Sequence, residues 1–212
     1  MNLPFFNLHT HYSDSENVSI VQMDEEIPNQ WFSVGIHPWK ATLNTEINHY
    51  FDQTTNAKCL AIGEIGLDKL KGPSLEIQQE VFQKQIELSE KYELPVIIHC
   101  VKAWNELKVL KRRLKPTQPW IFHGISKISI IDEVVEEGLY ASFGKKILMD
   151  EKLLTRATQI PNEKVFFETD DAKCAIEDIY SAFARAKKIT LQDLKEIQFN
   201  NFKRVFKKWK SG

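Results

Sequence analysis

Short apolar runs alternate with amphipathic stretches along most of this chain. Lys58-Cys59-Leu60-Ala61-Ile62-Gly63, Leu94-Pro95-Val96-Ile97-Ile98, Pro119-Trp120-Ile121-Phe122, Leu139 to Phe143 and Val165 to Phe167 are nearly continuous apolar runs, as strands buried on both faces require. Between them, apolar residues recur at three- and four-residue spacing. Ile77, Val81, Phe82, Ile86 and Leu88 share one face of a helix that Ser74 can cap and that reaches Tyr92, and Trp104, Leu107, Leu110 and Leu114 share one face of the next. A further helix runs through Val134 and Val135 to a stop at Gly138, and another separates the last two strands. Two helical stretches, Ala175 to Lys188 and, after a Thr190 cap, Leu191 to Trp209, close the chain without a strand. Strands alternating with helices of this length predict parallel β-α units.

The first third breaks this rhythm. Phe5-Phe6-Asn7-Leu8, Val18 to Met23 and Trp31 to Ile36 read as three strands with no helix between them. A parallel crossover normally takes a dozen or so residues, and the gaps from His11 to Val18 and from Met23 to Trp31 are shorter. The stretch from Val18 to Met23 is therefore expected to run antiparallel between its neighbours. Ala41 to Asn56 fits a helix plus loop, with His49 solvated on it. The expected fold is a (β/α)8-type TIM barrel, shortened and distorted near the N-terminus, built by residues 1–212 as a single domain.

The chemistry sits where the strands end. His9 and His11 are two residues apart on the first strand, so both imidazoles point to one side and can reach one ion. Glu64, His99, His123 and Asp170 likewise follow apolar runs, where a charge is costly unless it binds something. A barrel gathers its strand ends at one mouth, and six such residues converging there read as ligands rather than as caps.

A net charge of −1 argues against coating nucleic acid by bulk positive charge, but leaves a local patch open. Lys40, Lys69, Lys102, Lys127, Lys145, Lys146 and Lys173 each follow a strand end and would ring the same mouth. The run Lys203, Arg204, Lys207, Lys208, Lys210 reads as a solvated helix end. No apolar run approaches the ~18 residues of a membrane span and no secretory leader pattern opens the chain, so a cytoplasmic protein without membrane contact is expected. Cys59, Cys100 and Cys174 are widely spaced and read as reduced thiols.

His9-Thr10-His11, Gly35-Ile36-His37-Pro38, Gly63-Glu64-Ile65-Gly66-Leu67-Asp68, Pro95-Val96-Ile97-Ile98-His99, Phe122-His123 and Glu168-Thr169-Asp170 resemble, in order and over nearly the whole chain, the successive motifs of the TatD family of metal-dependent deoxyribonucleases in the amidohydrolase superfamily. The resemblance implies two divalent ions, one held by His9, His11, Glu64 and Asp170 and the other by Glu64, His99 and His123. Glu64 and Asp170 would then be catalytic, Glu64 by bridging the ions and Asp170 by orienting or deprotonating a water. His37 would touch a substrate phosphate, and, apart from the resemblance, Lys102 and Lys127 of the lysine ring are expected to neutralise phosphates. Such ligands suit zinc, manganese, iron or nickel, with magnesium a poorer match. Single-stranded DNA cut from an end is the expected substrate, with no protein partner and a monomeric chain.

This sequence departs from the family pattern at Asn7, where Asp is usual, at Val101, where Arg is common, at Gly124-Ile125-Ser126-Lys127, and at Asp171-Ala172-Lys173-Cys174. All four lie outside the ligand set. Two other readings stay open at this point. His9-Thr10-His11-Tyr12-Ser13-Asp14 also resembles the opening motif of the polymerase-and-histidinol-phosphatase family, which binds three metals. The departures from Val101 onward fall on substrate-binding loops, and such losses would also suit a metal-binding regulatory protein that has lost turnover.

Overall fold

The computed structural model describes residues 3–23, 26–44 and 47–209, with the side chains of 48–51 outside the described set. The expected exposure of His49 and Lys210 therefore falls outside it. Eight strands form one sheet in sequence order: β1 (Phe6–Thr10), β2 (Val18–Gln22), β3 (Phe32–Val34), β4 (Cys59–Asp68), β5 (Val96–Val101), β6 (Trp120–Phe122), β7 (Tyr140–Phe143) and β8 (Val165–Phe167). Every neighbouring pair is parallel. The sheet closes toward its C-terminal end, where Asp170 N donates to His9 O (2.9 Å) and His11 N donates to Asp170 O (3.2 Å). Lower on β1 a side chain takes the place of a strand neighbour: the buried Tyr180 hydroxyl donates to Phe6 O (2.9 Å) and accepts from Phe6 N (3.1 Å). The (β/α)8-type barrel expected from the sequence is thus the observed fold.

The expectation of an antiparallel second strand is overturned, because β2 runs parallel to both β1 and β3. A crossover has only to carry the chain back along the next strand. With five residues in β2 and three in β3, that return is roughly 17 and 10 Å at about 3.3 Å per residue. The connecting residues 11–17 and 23–31 reach roughly 23 and 30 Å when extended, so short strands remove the need for a helix. No helix is assigned between β1, β2 and β3 among the described residues.

The remaining connections carry α1 (Asn48–Thr55), α2 (Leu75–Tyr92), α3 (Trp104–Leu114), α4 (Ile131–Glu136) and α5 (Glu151–Ala157), and α6 (Ile176–Lys187) and α7 (Leu191–Val205) follow β8. Thr190 and Asp193 form a reciprocal capping box at the start of α7, whereas the Ser74 hydroxyl makes no cap bond to α2. Alternate strand residues enter two different cores, as the two-residue strand period dictates. Val96, Ile98, Phe122, Val165 and Phe167 pack with Phe82, Leu107, Leu110, Val134 and Phe183 of the helices. Ile97, Ile121 and Phe166 pack instead with Phe6, Leu60 and the Phe202, Phe206 and Trp209 side chains at the end of the chain. That double burial is why these strands are apolar throughout.

β4 does not stop at Glu64, where its apolar run ends, but continues to Asp68. Gly66, Leu67 and Asp68 pair with His99, Cys100 and Val101, so the partner strand extends it beyond the hydrophobic pattern. Gly66 is required there: a Cβ would lie 1.8 Å from His99 O. Register slips fall on the two strands that carry the acid and the paired histidines, between Ile62 and Ile65 and between Asn7 and Thr10. Such irregularities re-aim side chains. Among the described residues no helix is long and apolar enough to cross a membrane.

Candidate metal centre

Glu64, buried on β4, stands at the middle of the strand-end residues. Its Oε2 faces Nε2 of His9 (3.3 Å) and of His11 (3.9 Å), and both rings also approach Asp170 Oδ1, at 3.5 and 3.6 Å. Its Oε1 faces His99 Nδ1 and His123 Nε2, each at 2.6 Å, and His37 Nε2 at 3.5 Å. One donor atom each from His9, His11, Glu64 and Asp170 lie within 4.8 Å of one another, and so do those of His37, Glu64 and His99. All six residues expected as ligands therefore meet in one place, with His37 among them. Asp170 adopts φ 53°, a left-handed conformation that is uncommon for a residue with a side chain and recurs at functional sites.

The donor set fits a divalent cation. His9 is completely buried, yet neither ring nitrogen meets a partner with hydrogen-bond geometry although Nε2 faces two carboxylates at 3.3 and 3.5 Å, a spacing that suits a cation shared between ring and acids. Burial pulls its pKa down, but the Asp170 and Glu64 carboxylates bring it up to about 9. Burial acts the same way on His123, and Glu64 and Glu168 more than offset it, holding that imidazole well above its ordinary value. Glu64 shows the converse: burial favours its neutral form, but the surrounding imidazoles, His123 foremost, keep it well below the carboxylate range. The cluster thus calls for positive charge at its centre, and imidazole with carboxylate is a donor set that borderline divalent ions accept.

Hydrogen bonding sorts the histidines by tautomer. His99 Nε2 lies 3.3 Å from Asp68 Oδ2 and His123 Nδ1 lies 3.2 Å from Glu168 Oε1, so each ring can keep one proton on that carboxylate and yield to a cation the nitrogen that otherwise meets Glu64 Oε1 at 2.6 Å. Metal-binding histidines are oriented in this way. His37 is the reverse. Its Nδ1 accepts from Trp39 N (3.2 Å), so in the neutral ring Nε2 carries the proton and faces the cavity as a donor. Proximity alone would group His37 with the ligands, but its tautomer suits a hydrogen bond to an anionic oxygen.

Three supporting residues were not singled out by the sequence. Asp68 accepts from Trp39 Nε1 (2.6 Å) and Leu70 N (2.7 Å) as well as facing His99. Glu168, fully buried, accepts from Gly124 N (2.6 Å) and Ser142 Oγ (2.5 Å) besides His123. Both acids lay inside the motifs quoted above, where a second carboxylate close to a ligand was the available signal. Gln22 Oε1 accepts from Glu64 N (2.5 Å), a pairing that no local pattern announces. Asn7, where the family usually has Asp, ties β1 to the end of β8: its amide donates to Thr169 Oγ1 (2.8 Å) and accepts from Thr169 N (3.0 Å).

A cavity of about 390 Å³ opens over the cluster, lined by His11, His37, Glu64, His99, His123 and Asp170 and, beside them, by Met23, Ile36, Trp39 and Lys40. Lys102 and Lys127 are exposed in the loops after β5 and β6 but do not line it. Of the other mouth lysines, Lys69 is held by Glu106 (2.6 Å). Trp104 packs edge-on against Phe122, with ring centroids 5.6 Å apart.

A sequence profile of the family described as TatD related DNase matches residues 4–207. The chain is 28% identical over 208 residues to the uncharacterized metal-dependent hydrolase YabD of Bacillus subtilis, covering 88% of this chain and 81% of the relative. It is 29% identical over 128 residues to the deoxyribonuclease Tat-D of Schizosaccharomyces pombe, covering 57% of this chain and 40% of that one. Among solved structures it shares its fold with YJJV, a TatD homolog from Escherichia coli K12, with a TM-score of 0.83 at 19% identity over 98% of this chain and 99% of the other. With the profile spanning nearly every residue, the chain belongs to the TatD-related DNase family of metal-dependent hydrolases.

Proposed function

We propose that this hydrolase is a phosphodiesterase that degrades DNA, preferring single strands and working from an end. The observation that carries the reading is the division of the Glu64 carboxylate, with Oε2 toward His9 and His11 and Oε1 toward His99 and His123. A carboxylate divided in this way is suited to bridge two cations, one toward His9, His11 and Asp170 and one toward His99 and His123. Zinc, manganese, iron and nickel match these donors best. When bound, the pair supplies Lewis acidity to the phosphoryl oxygens and lowers the pKa of the attacking water.

The chain's own residues supply the rest. Burial favours a neutral Asp170, but His9 and His123 keep its carboxyl below the ordinary range, so it remains ionised. Its side chain is 37% exposed beside the cluster, where it can orient a water and take its proton. His37 offers Nε2–H to a phosphate oxygen. Lys102 and Lys127, on the rim, meet phosphates further along a strand. The family description and the S. pombe relative's name support DNA as the polymer.

The test is a metal-supplemented assay that compares single-stranded DNA, RNA and a phosphomonoester. Chelated protein should be inactive, and added metal should restore cleavage of DNA above the other two. Stable metal binding without turnover on any of the three would replace this reading with that of a binding protein.

A further inference from the structure

We infer that Trp39 is a platform on which a nucleobase stacks beside the reacting phosphate, making it the residue by which the cavity selects nucleotides. The inference rests on the phosphodiesterase reading of the same site. The cavity has two unlike walls. His11, Glu64, His99, His123 and Asp170 supply charge and donor atoms, whereas Met23, Gly35, Ile36 and Trp39 form an apolar wall that metal chemistry does not need. Its volume, about 390 Å³, lies near the lower end of the roughly 300–1,000 Å³ typical of small-molecule sites. One nucleotide unit suits such a space better than several.

Trp39 is 46% exposed, whereas Trp120 and Trp209 are buried and Trp31 and Trp104 partly so. It is nevertheless held in place. Its indole Nε1 donates to Asp68 Oδ2 (2.6 Å), its backbone N donates to His37 Nδ1 (3.2 Å), and the His37 ring meets it edge-on at 4.6 Å. A ring fixed before binding loses little freedom when a ligand stacks on it. Lys71 Nζ lies over the ring, 4.2 Å from its centroid, but is not part of the cavity wall, so the ring's contribution to that wall is apolar. The indole centroid is 6.0 Å from that of His99, which touches Glu64. A base on Trp39 would therefore be about one sugar away from the reacting phosphate.

The test uses the full chain loaded with Mn²⁺ and two non-hydrolysed probes, dAMP and deoxyribose 5-phosphate, with binding measured by calorimetry. The parent should favour dAMP by roughly 5- to 150-fold, the range that base–aromatic stacking spans. Trp39→Phe and Trp39→Leu both lose the indole N–H, so any structural role through Asp68 falls equally in the two. The stacking role predicts that Trp39→Phe keeps most of the preference for dAMP and that Trp39→Leu loses it. Equal binding of the two probes by the parent, or equal preference in the two variants, overturns the platform while leaving the phosphodiesterase reading standing. Failure of both probes to bind overturns both.

Discussion

Glu168→Gln separates charge from hydrogen bonding at the candidate centre. The Glu168 carboxylate is fully buried, with Oε1 accepting from Gly124 N and facing His123 Nδ1 and Oε2 accepting from Ser142 Oγ. A glutamine in the same rotamer keeps its carbonyl oxygen on His123 and Gly124. Its NH₂ then faces Ser142, whose hydroxyl can turn from donor to acceptor. No hydrogen bond need be lost, so at a pH high enough to leave His123 neutral the metal-free variant should melt within about 1 kcal/mol of the parent, and below that it also loses the charge paired with the protonated ring. What disappears is the negative charge that holds the His123 proton on Nδ1 and makes Nε2 basic. Loss of such a carboxylate partner typically costs about 10- to 100-fold in metal affinity. Glu168→Ala is the contrast, because it strands the buried donors of His123 and Ser142 at roughly 1–3 kcal/mol each. A total of about 2–6 kcal/mol is a large share of the about 5–15 kcal/mol that stabilises a domain. Calorimetric titration with Mn²⁺, alongside thermal melts in chelator, reads both effects. If Glu168→Gln binds both ions as tightly as the parent, His123 is not a ligand oriented by Glu168, and the pairing is only structural.

Three further outcomes follow from the same structure. With the folded-state pKa of His9 raised to about 9 and that of His123 raised well above its ordinary value, their contribution to metal-free stability is complete below about 6.5 and is lost as pH rises, the His9 part through about 9. Melts in chelator should fall across that window while apparent metal affinity rises, because the ion displaces those protons; a flat metal-free profile would contradict the proton cage. Tyr180→Phe removes the hydroxyl that pairs with both Phe6 N and Phe6 O, which should cost about 1–3 kcal/mol, or roughly 3–10 °C in Tm, with metal affinity preserved. Finally, Lys102→Ala with Lys127→Ala should reduce the slope of log affinity against log salt for single-stranded DNA by roughly one to two, measured by anisotropy across a salt series. An unchanged slope would leave the metals and the cavity to hold the strand.

Where the sequence is legible, the reason is periodicity. Strands such as Ile97 and Phe166 with their neighbours feed two cores at once, so they had to be apolar at every position, and the acid or histidine after each run stood out. The direction of β2 was not legible, because the gaps on either side of it are too short for a helical crossover and suffice only because β2 and β3 are themselves short, which the apolar runs do not mark. The far end of β4 was hidden for a related reason. It continues past a charged residue because β5 lies alongside it and Gly66 lets the two backbones touch. At the site, the residues that follow apolar runs were visible, but their supports were less so. Asp68 and Glu168 matter through the ring nitrogens they face, and Gln22 reaches Glu64 from another strand. Such contacts are properties of the closed barrel rather than of any local stretch. The role of His37 likewise depends on a bond to Trp39 N that fixes its tautomer.

The proposed activity requires that Glu64 join two cations and that the pair support phosphodiester hydrolysis. Metal content and turnover on single-stranded DNA, measured together on the same chelated and then Mn²⁺-titrated samples of the parent and of Glu64→Ala, test it most directly. The parent should gain activity only as the second equivalent binds, and Glu64→Ala should stay folded, bind at most one ion weakly and show no turnover. Full activity at one equivalent, or near-normal turnover by Glu64→Ala, would contradict that requirement.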